Sequence, residues 1–86
     1  MTARYHFHFR HSSRFIPDTE GAEFSTLDAA VEDGRLSARE LLSLDRGTPD
    51  RAYHGGAYEI TDRAGLIHAI VRFYETRLQP LVRLPT

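Results

Sequence analysis

The sequence predicts an α+β domain: an antiparallel sheet of about four to five strands, in the order β-β-(β)-α-β-β, with one long amphipathic helix on one face. Three observations predict it. Tyr5-His6-Phe7-His8-Phe9-Arg10 alternates aromatic and polar residues, the period of a half-buried strand. Leu27, Ala30, Val31, Gly34, Ala38, Leu41 and Leu42 fall in one stripe roughly 120° wide when the chain is turned as a helix. Tyr58-Glu59-Ile60-Thr61 and Ile67 through Phe73 are two more strand-like runs, and a single helix can cover only one face of the sheet they would join.

In the first strand Tyr5, Phe7 and Phe9 share one face, while His6, His8 and Arg10 share the other. His11-Ser12-Ser13 is a short polar turn and Arg14-Phe15-Ile16 a return strand, which Pro17 stops. Pro17-Asp18-Thr19-Glu20-Gly21 reads as a turn and Ala22-Glu23-Phe24 as a short strand into the helix. Ser25 followed by Asp28 fits a capping box, with Thr26 the alternative N-cap. The helix runs to about Leu44 or Asp45, and Gly47 is a natural stop. Gly34 costs about 1 kcal/mol against Ala in mid-helix; its place in the apolar stripe predicts a close approach of helix to sheet. Residues 46–56 form the one substantial loop. Asp62-Arg63-Ala64-Gly65 is a tight turn with Gly where positive φ is wanted. By parity Tyr58, Ile60, Ile67, Ala69, Val71 and Phe73 join the helix-facing side. After Tyr74 a further turn of helix is possible until Gln79-Pro80, so residues 1–76 form one domain and 77–86 a tail.

The chain has 86 residues, 41% of them hydrophobic and 27% charged, a composition for one globular domain with a modest core. Cysteine is absent, which removes disulfides and all thiolate chemistry and leaves self-association as the expected supplement to stability. A formal charge of −1 gives no general attraction to nucleic acid or anionic membrane. All eleven basic residues are Arg, and Lys and Asn are both missing, the mark of a GC-rich genome. No secretory leader precedes the first strand, and no apolar run approaches the roughly 20 residues of a membrane span, so a cytoplasmic protein without membrane contact is expected.

The order of short motifs carries a resemblance. Tyr5-x-Phe7-His8, Ile16-Pro17-Asp18-x-Glu20-Gly21, Leu27-Asp28-x-Ala30 and Glu59-Ile60-Thr61-Asp62-x-x-Gly65 resemble a family of short proteobacterial proteins described as a domain of unknown function. The resemblance covers residues 4–74 and implies neither an activity nor site residues. His11-Ser12-Ser13 departs from the Asp-Gly of relatives, and Arg63-Ala64 from an acidic pair. A weaker, architectural likeness is to HicB-type antitoxins, whose strand ends in Pro-Asp-x-x-Gly before a helix, as Pro17 to Gly21 does here.

The candidate surface is the face turned from the helix. Parity places His6, His8 and Arg10 there from the first strand, Glu59 and Thr61 from the fourth, and His68 and Arg72 from the last. If the first and last strands lie side by side, His6, His8 and His68 converge. They are then the candidate ligands for a metal, although no metal is expected, because a His-x-His pair alone is weak evidence. The stronger of the two functional readings is a partner or ligand surface built from His6, His8, Arg10, Glu59, His68 and Arg72; the bland alternative, a polar face simply exposed to solvent, stands beside it.

No catalytic residue is expected. There is no Gly-x-Ser-x-Gly; Ser12 and Ser13 are sequence neighbours of His11, a poor geometry for nucleophile and base; and Asp18 with Glu20 is explained by turn chemistry. Gly55-Gly56 lacks a P-loop lysine and reads as a flexible lead-in to a strand. Arg10, Arg14 and Arg72 lie near aromatic strands, but a sheet that reads RNA exposes its aromatics, so nucleic acid is not expected either. No cofactor is implied. The expected function is a non-enzymatic binding or regulatory module, a homodimer with a possible further protein partner. The competing expectation is a HicB-like or nucleic-acid-associated, metal-binding protein.

Overall fold

A computed structural model describes residues 1–45 and 53–76. The expected residues of the 46–52 loop, including Gly47, and the 77–86 tail lie outside them. The strands are β1 (Ala3–His11), β2 (Arg14–Ile16), β3 (Ala22–Phe24), β4 (Ala57–Thr61) and β5 (Ile67–Arg72); the helices are α1 (Leu27–Ser43) and α2 (Phe73–Thr76). All pairings are antiparallel, in the order β2-β1-β4-β5, with β3 also paired to β1. The fold is the α+β sheet-and-helix architecture that the periodicities predict.

The topology places β4 between β1 and β5, so the first and last strands are not neighbours. β4 occupies one edge of β1 along His6 to Arg10. The other edge is shared: β2 pairs with Phe9 to His11 and β3 with Ala3 to Tyr5. These two strands are interrupted by residues 17–21, which bow out from the edge opposite the middle of β1. The β1–β2 hairpin turns on Ser12, held at φ 54°, a left-handed conformation that is uncommon for a residue with a side chain.

The parity reading of β1 is correct. Phe7 pairs with Ile60, and Phe9 with Tyr58, which in turn pairs with Val71; this row faces α1. Ala30, Gly34, Ala38 and Leu42 form the buried line of the helix, four residues apart and small for three of the four. That small-residue line lets the helix axis approach the sheet. A Cβ at Gly34 would lie 3.1 Å from the Phe7 ring and 3.6 Å from Ile60 Cδ1, which is the close contact its position in the stripe implies. Ala38, Leu42 and Phe73 form the core cluster, with Phe9, Leu41, Tyr53 and Tyr58 packed against it.

Several expectations require correction. Thr26, not Ser25, is the N-cap: its hydroxyl accepts from the Ala29 amide at 3.0 Å. Leu41 is only half-buried, whereas Leu42 is 8% exposed. Phe7, Phe9, Leu27 and Val31 are likewise half-buried, as befits a core covered by one helix. Phe73 is buried as expected but opens α2 rather than ending β5. Ile67 does not face the helix. A register shift lets Ile60 pair with Ala69 but Thr61 with Ile67, and this bulge inverts the facing of the strand's first residues. Gly56 is not a flexible lead-in: it is buried, and a Cβ there would run into the Phe9 ring.

Candidate functional site

The face of the sheet turned from α1 carries the predicted surface, and four of its six residues form one connected group. His8 lies across from Glu59, His6 across from Thr61 and Arg10 across from Ala57, so their side chains rise from the same pleat. The imidazoles of His6 and His8 are stacked, with centroids 6.0 Å apart and planes within 7°. Arg10 Nε donates to Glu59 Oε2 at 2.7 Å, and its guanidinium lies 4.5 Å above the Phe15 ring. Phe15 also meets the His8 ring at 5.5 Å. Arg72 lies in the same row as Arg10, through Ala57, and pairs with Glu75 at 3.7 Å, one helical turn along.

His68 is not part of this group. With β4 interposed and the bulge re-aiming the start of β5, His68 Nε2 meets Asp62 Oδ2 at 2.9 Å. Its ring stands edge-on to Tyr5 at 6.0 Å, a residue of opposite parity to His6 and His8. The expected convergence of three histidines is therefore replaced by a pair plus a separate His68–Asp62 contact. That hydrogen bond, with the Leu66 and Ala64 amides, holds the Asp62 carboxyl below its ordinary range despite some desolvation. The turn itself forms as expected, with Gly65 at φ 90° and its amide on the Asp62 carbonyl. Among the described residues no three His, Cys, Asp or Glu side chains are grouped to hold a metal ion.

The residue that organises the histidine pair is Asp18, which sequence reasoning treated as a turn former. Its carboxylate accepts from the Phe7 amide at 3.0 Å, the Gly21 amide at 3.0 Å and the Glu20 amide at 3.3 Å. It thus replaces the strand partner that β1 lacks between β2 and β3. Burial pushes this carboxyl up, but those three N–H groups and the nearby His6 together hold it below the usual carboxylate range.

The Asp18 backbone is equally engaged, and it sets the tautomers of both rings. The Asp18 amide can only donate, so His8 Nδ1, at 3.0 Å, is the acceptor and carries no proton. Neutral His8 is therefore protonated on Nε2, which donates to the hydroxyl of buried Thr61 at 3.0 Å. The Asp18 carbonyl can only accept, so His6 Nδ1, at 2.9 Å, is protonated and donates. The Asx-turn bonds to residues 20 and 21 are visible in sequence spacing; the cross-chain bonds to Phe7, His6 and His8 are not.

Apolar groups border this polar centre. Phe15 is 42% exposed, Ile67 48% and Ile70 47%. Ile70 pairs with Glu59 and Ile67 with Thr61, which places both on the histidine face. An open recess of about 530 Å³ is lined by Thr2, Arg4, Glu23, Asp62 and Arg63 among others. There the Thr2 hydroxyl and the Arg4 guanidinium hold the Glu23 carboxyl low. No helix among the described residues is long and apolar enough to cross a membrane.

The family model for "Domain of unknown function (DUF6894)" matches residues 4–74. No curated protein and no solved structure matches the chain.

Proposed function

This chain belongs to the family described as a domain of unknown function, DUF6894, and on that premise we propose that it is a small cytoplasmic, non-enzymatic binding or regulatory module. It acts as a homodimer through the sheet face turned from α1. The observation that supports this reading is the composition of that face. Phe15, Ile67 and Ile70 are each more than two-fifths exposed and flank the Arg10–Glu59 ion pair, an apolar surface with interleaved polar groups of the kind protein interfaces use.

A second copy of the chain is the partner that fits. A two-fold contact sets this patch against itself, a net charge of −1 opposes approach only weakly, and a domain of 86 residues gains stability from a buried second layer. Catalysis is disfavoured by how the polar groups are used. His8 is taken up at both nitrogens and Arg10 by Glu59, which leaves neither as a group aimed at a substrate. Nothing favours the HicB-type alternative, since the Pro17–Gly21 segment on which that likeness rests serves the sheet itself.

The test is the mass in solution by light scattering at micromolar concentration and pH 7.5, for wild type and Ile70→Glu. A dimeric wild type and a monomeric, normally folded variant are expected. A monomeric wild type would refute the interface.

A further inference from the structure

We propose that His8 is a proton-operated latch on the 17–21 segment: neutral, it holds the segment against β1, and protonated, it lets it go. The inference is independent of the dimer reading, because it concerns a contact within one chain. Its basis is the obligatory direction of one hydrogen bond. The Asp18 amide is a donor in every state, and its acceptor is His8 Nδ1 at 3.0 Å. Adding a proton to His8 puts it on Nδ1, since Nε2 already donates to Thr61. Two N–H donors then face each other and the bond is lost. A ring flip does not restore it, because the flip presents a carbon to the amide.

His6 responds differently. Its Nδ1 already donates to the Asp18 carbonyl, so a second proton, on Nε2, leaves that bond intact. Two adjacent rings on one strand therefore have opposite sensitivities, and His8 is the one that opens the latch.

The charged groups around His8 divide in sign. On β1, His6 is stacked on it and Arg10 follows on the same face; both oppose a cation. From β4, Glu59 lies directly across but is engaged by Arg10 at 2.7 Å. From the 17–21 segment, the Asp18 carboxylate is turned to the Phe7, Glu20 and Gly21 amides. β2 contributes the uncharged ring of Phe15. Glu59 and Asp18 can stabilise the imidazolium, but neither can accept for the Asp18 amide, so the cation exists with the latch open. Loss of this bond loosens the segment that supplies the only partner of the Phe7 amide between β2 and β3 in the described structure.

The test is amide hydrogen exchange by NMR on the full chain at pH 7.5 and 5.0, an interval spanning the range in which imidazoles titrate. Rates are expressed as protection factors, so that the intrinsic pH dependence of exchange cancels. In wild type the Asp18 amide should lose at least tenfold in protection at pH 5.0, while Ile60 in the sheet centre keeps its own. His8→Asn retains an acceptor near the Nδ1 position but cannot be protonated, and should hold Asp18 protection equal at both pH values. An Asp18 amide whose protection is the same at both pH values in wild type overturns the proposal. So does a His8→Asn variant that loses protection as wild type does. Should that variant not fold, imidazole nitrogen shifts of wild type decide instead: a protonated Nδ1 on His8 at pH 7.5 also overturns the latch.

Discussion

Asp18 shows how much structure one short side chain can hold. Its carboxylate stands in for a missing strand, and its backbone N–H and carbonyl fix two histidine tautomers. Replacing it with Ala leaves the Phe7 amide without its acceptor, and a cost of about 1–3 kcal/mol is expected from the lost charge-assisted bonds. The pH dependence has a definite sign. The folded-state carboxyl lies below its ordinary value, so its contribution is complete above that value, about 3.9, and is lost as pH falls through the lower folded value. Urea unfolding at pH 5 and pH 3 should therefore show wild type losing more stability on acidification than Asp18→Ala. Equal losses would mean that the carboxylate is not held by these amides.

At the scale of the element, α1 is defined by small residues rather than large ones. Ala30, Gly34 and Ala38 are its buried line, and only Leu42 adds bulk. Leu42→Ala should cost about 2–5 kcal/mol by thermal or urea unfolding, as for other buried leucines. Leu41→Ala, half-buried, should cost clearly less, and the reverse ranking would place the wrong side of the helix on the sheet. Gly34→Val tests the close approach. With Phe7 already 3.1 Å from where a Cβ would lie, the larger side chain must push the helix outward, at about 1–3 kcal/mol. A variant as stable as wild type would show that the sheet tolerates a wider spacing.

For the whole molecule, the covering of one sheet face by a single helix sets the remaining question. The histidine pair lies within the proposed contact, so in a two-fold dimer His6 and His8 meet their own copies or near neighbours. Protonation then adds like charges to both sides of the interface, and the dimer should weaken as pH falls through the imidazole range. Sedimentation at pH 7.5 and 5.5 measures this; a His6→Gln/His8→Gln double variant should show no pH response. An edge-to-edge dimer through β5 would rest on backbone hydrogen bonds and be indifferent to pH, so a pH-insensitive dimer would move the contact to that edge.

Local periodicity was sufficient for much of this protein. Alternation along Tyr5 to Arg10 assigns Phe7 and Phe9 to the helix side and His6, His8 and Arg10 to the other, because a pleated strand leaves each residue only two directions. The spacing of Ala30, Gly34, Ala38 and Leu42 likewise carries α1 and, at Gly34, its close approach to the sheet; that Phe7 is the residue met there is a tertiary contact. What tertiary structure alone decided depends on contacts between segments far apart in the chain. Strand order separated β1 from β5, and a one-residue register shift beside Thr61 took His68 to Asp62 and turned Ile67 outward. Such a shift leaves no periodic trace, since the residues on each side still alternate. Asp18 looked like turn chemistry because its bonds to Glu20 and Gly21 are local. Its bonds to Phe7, His6 and His8 exist only because β2 and β3 share one edge of β1 and leave a gap between them for a side chain to fill.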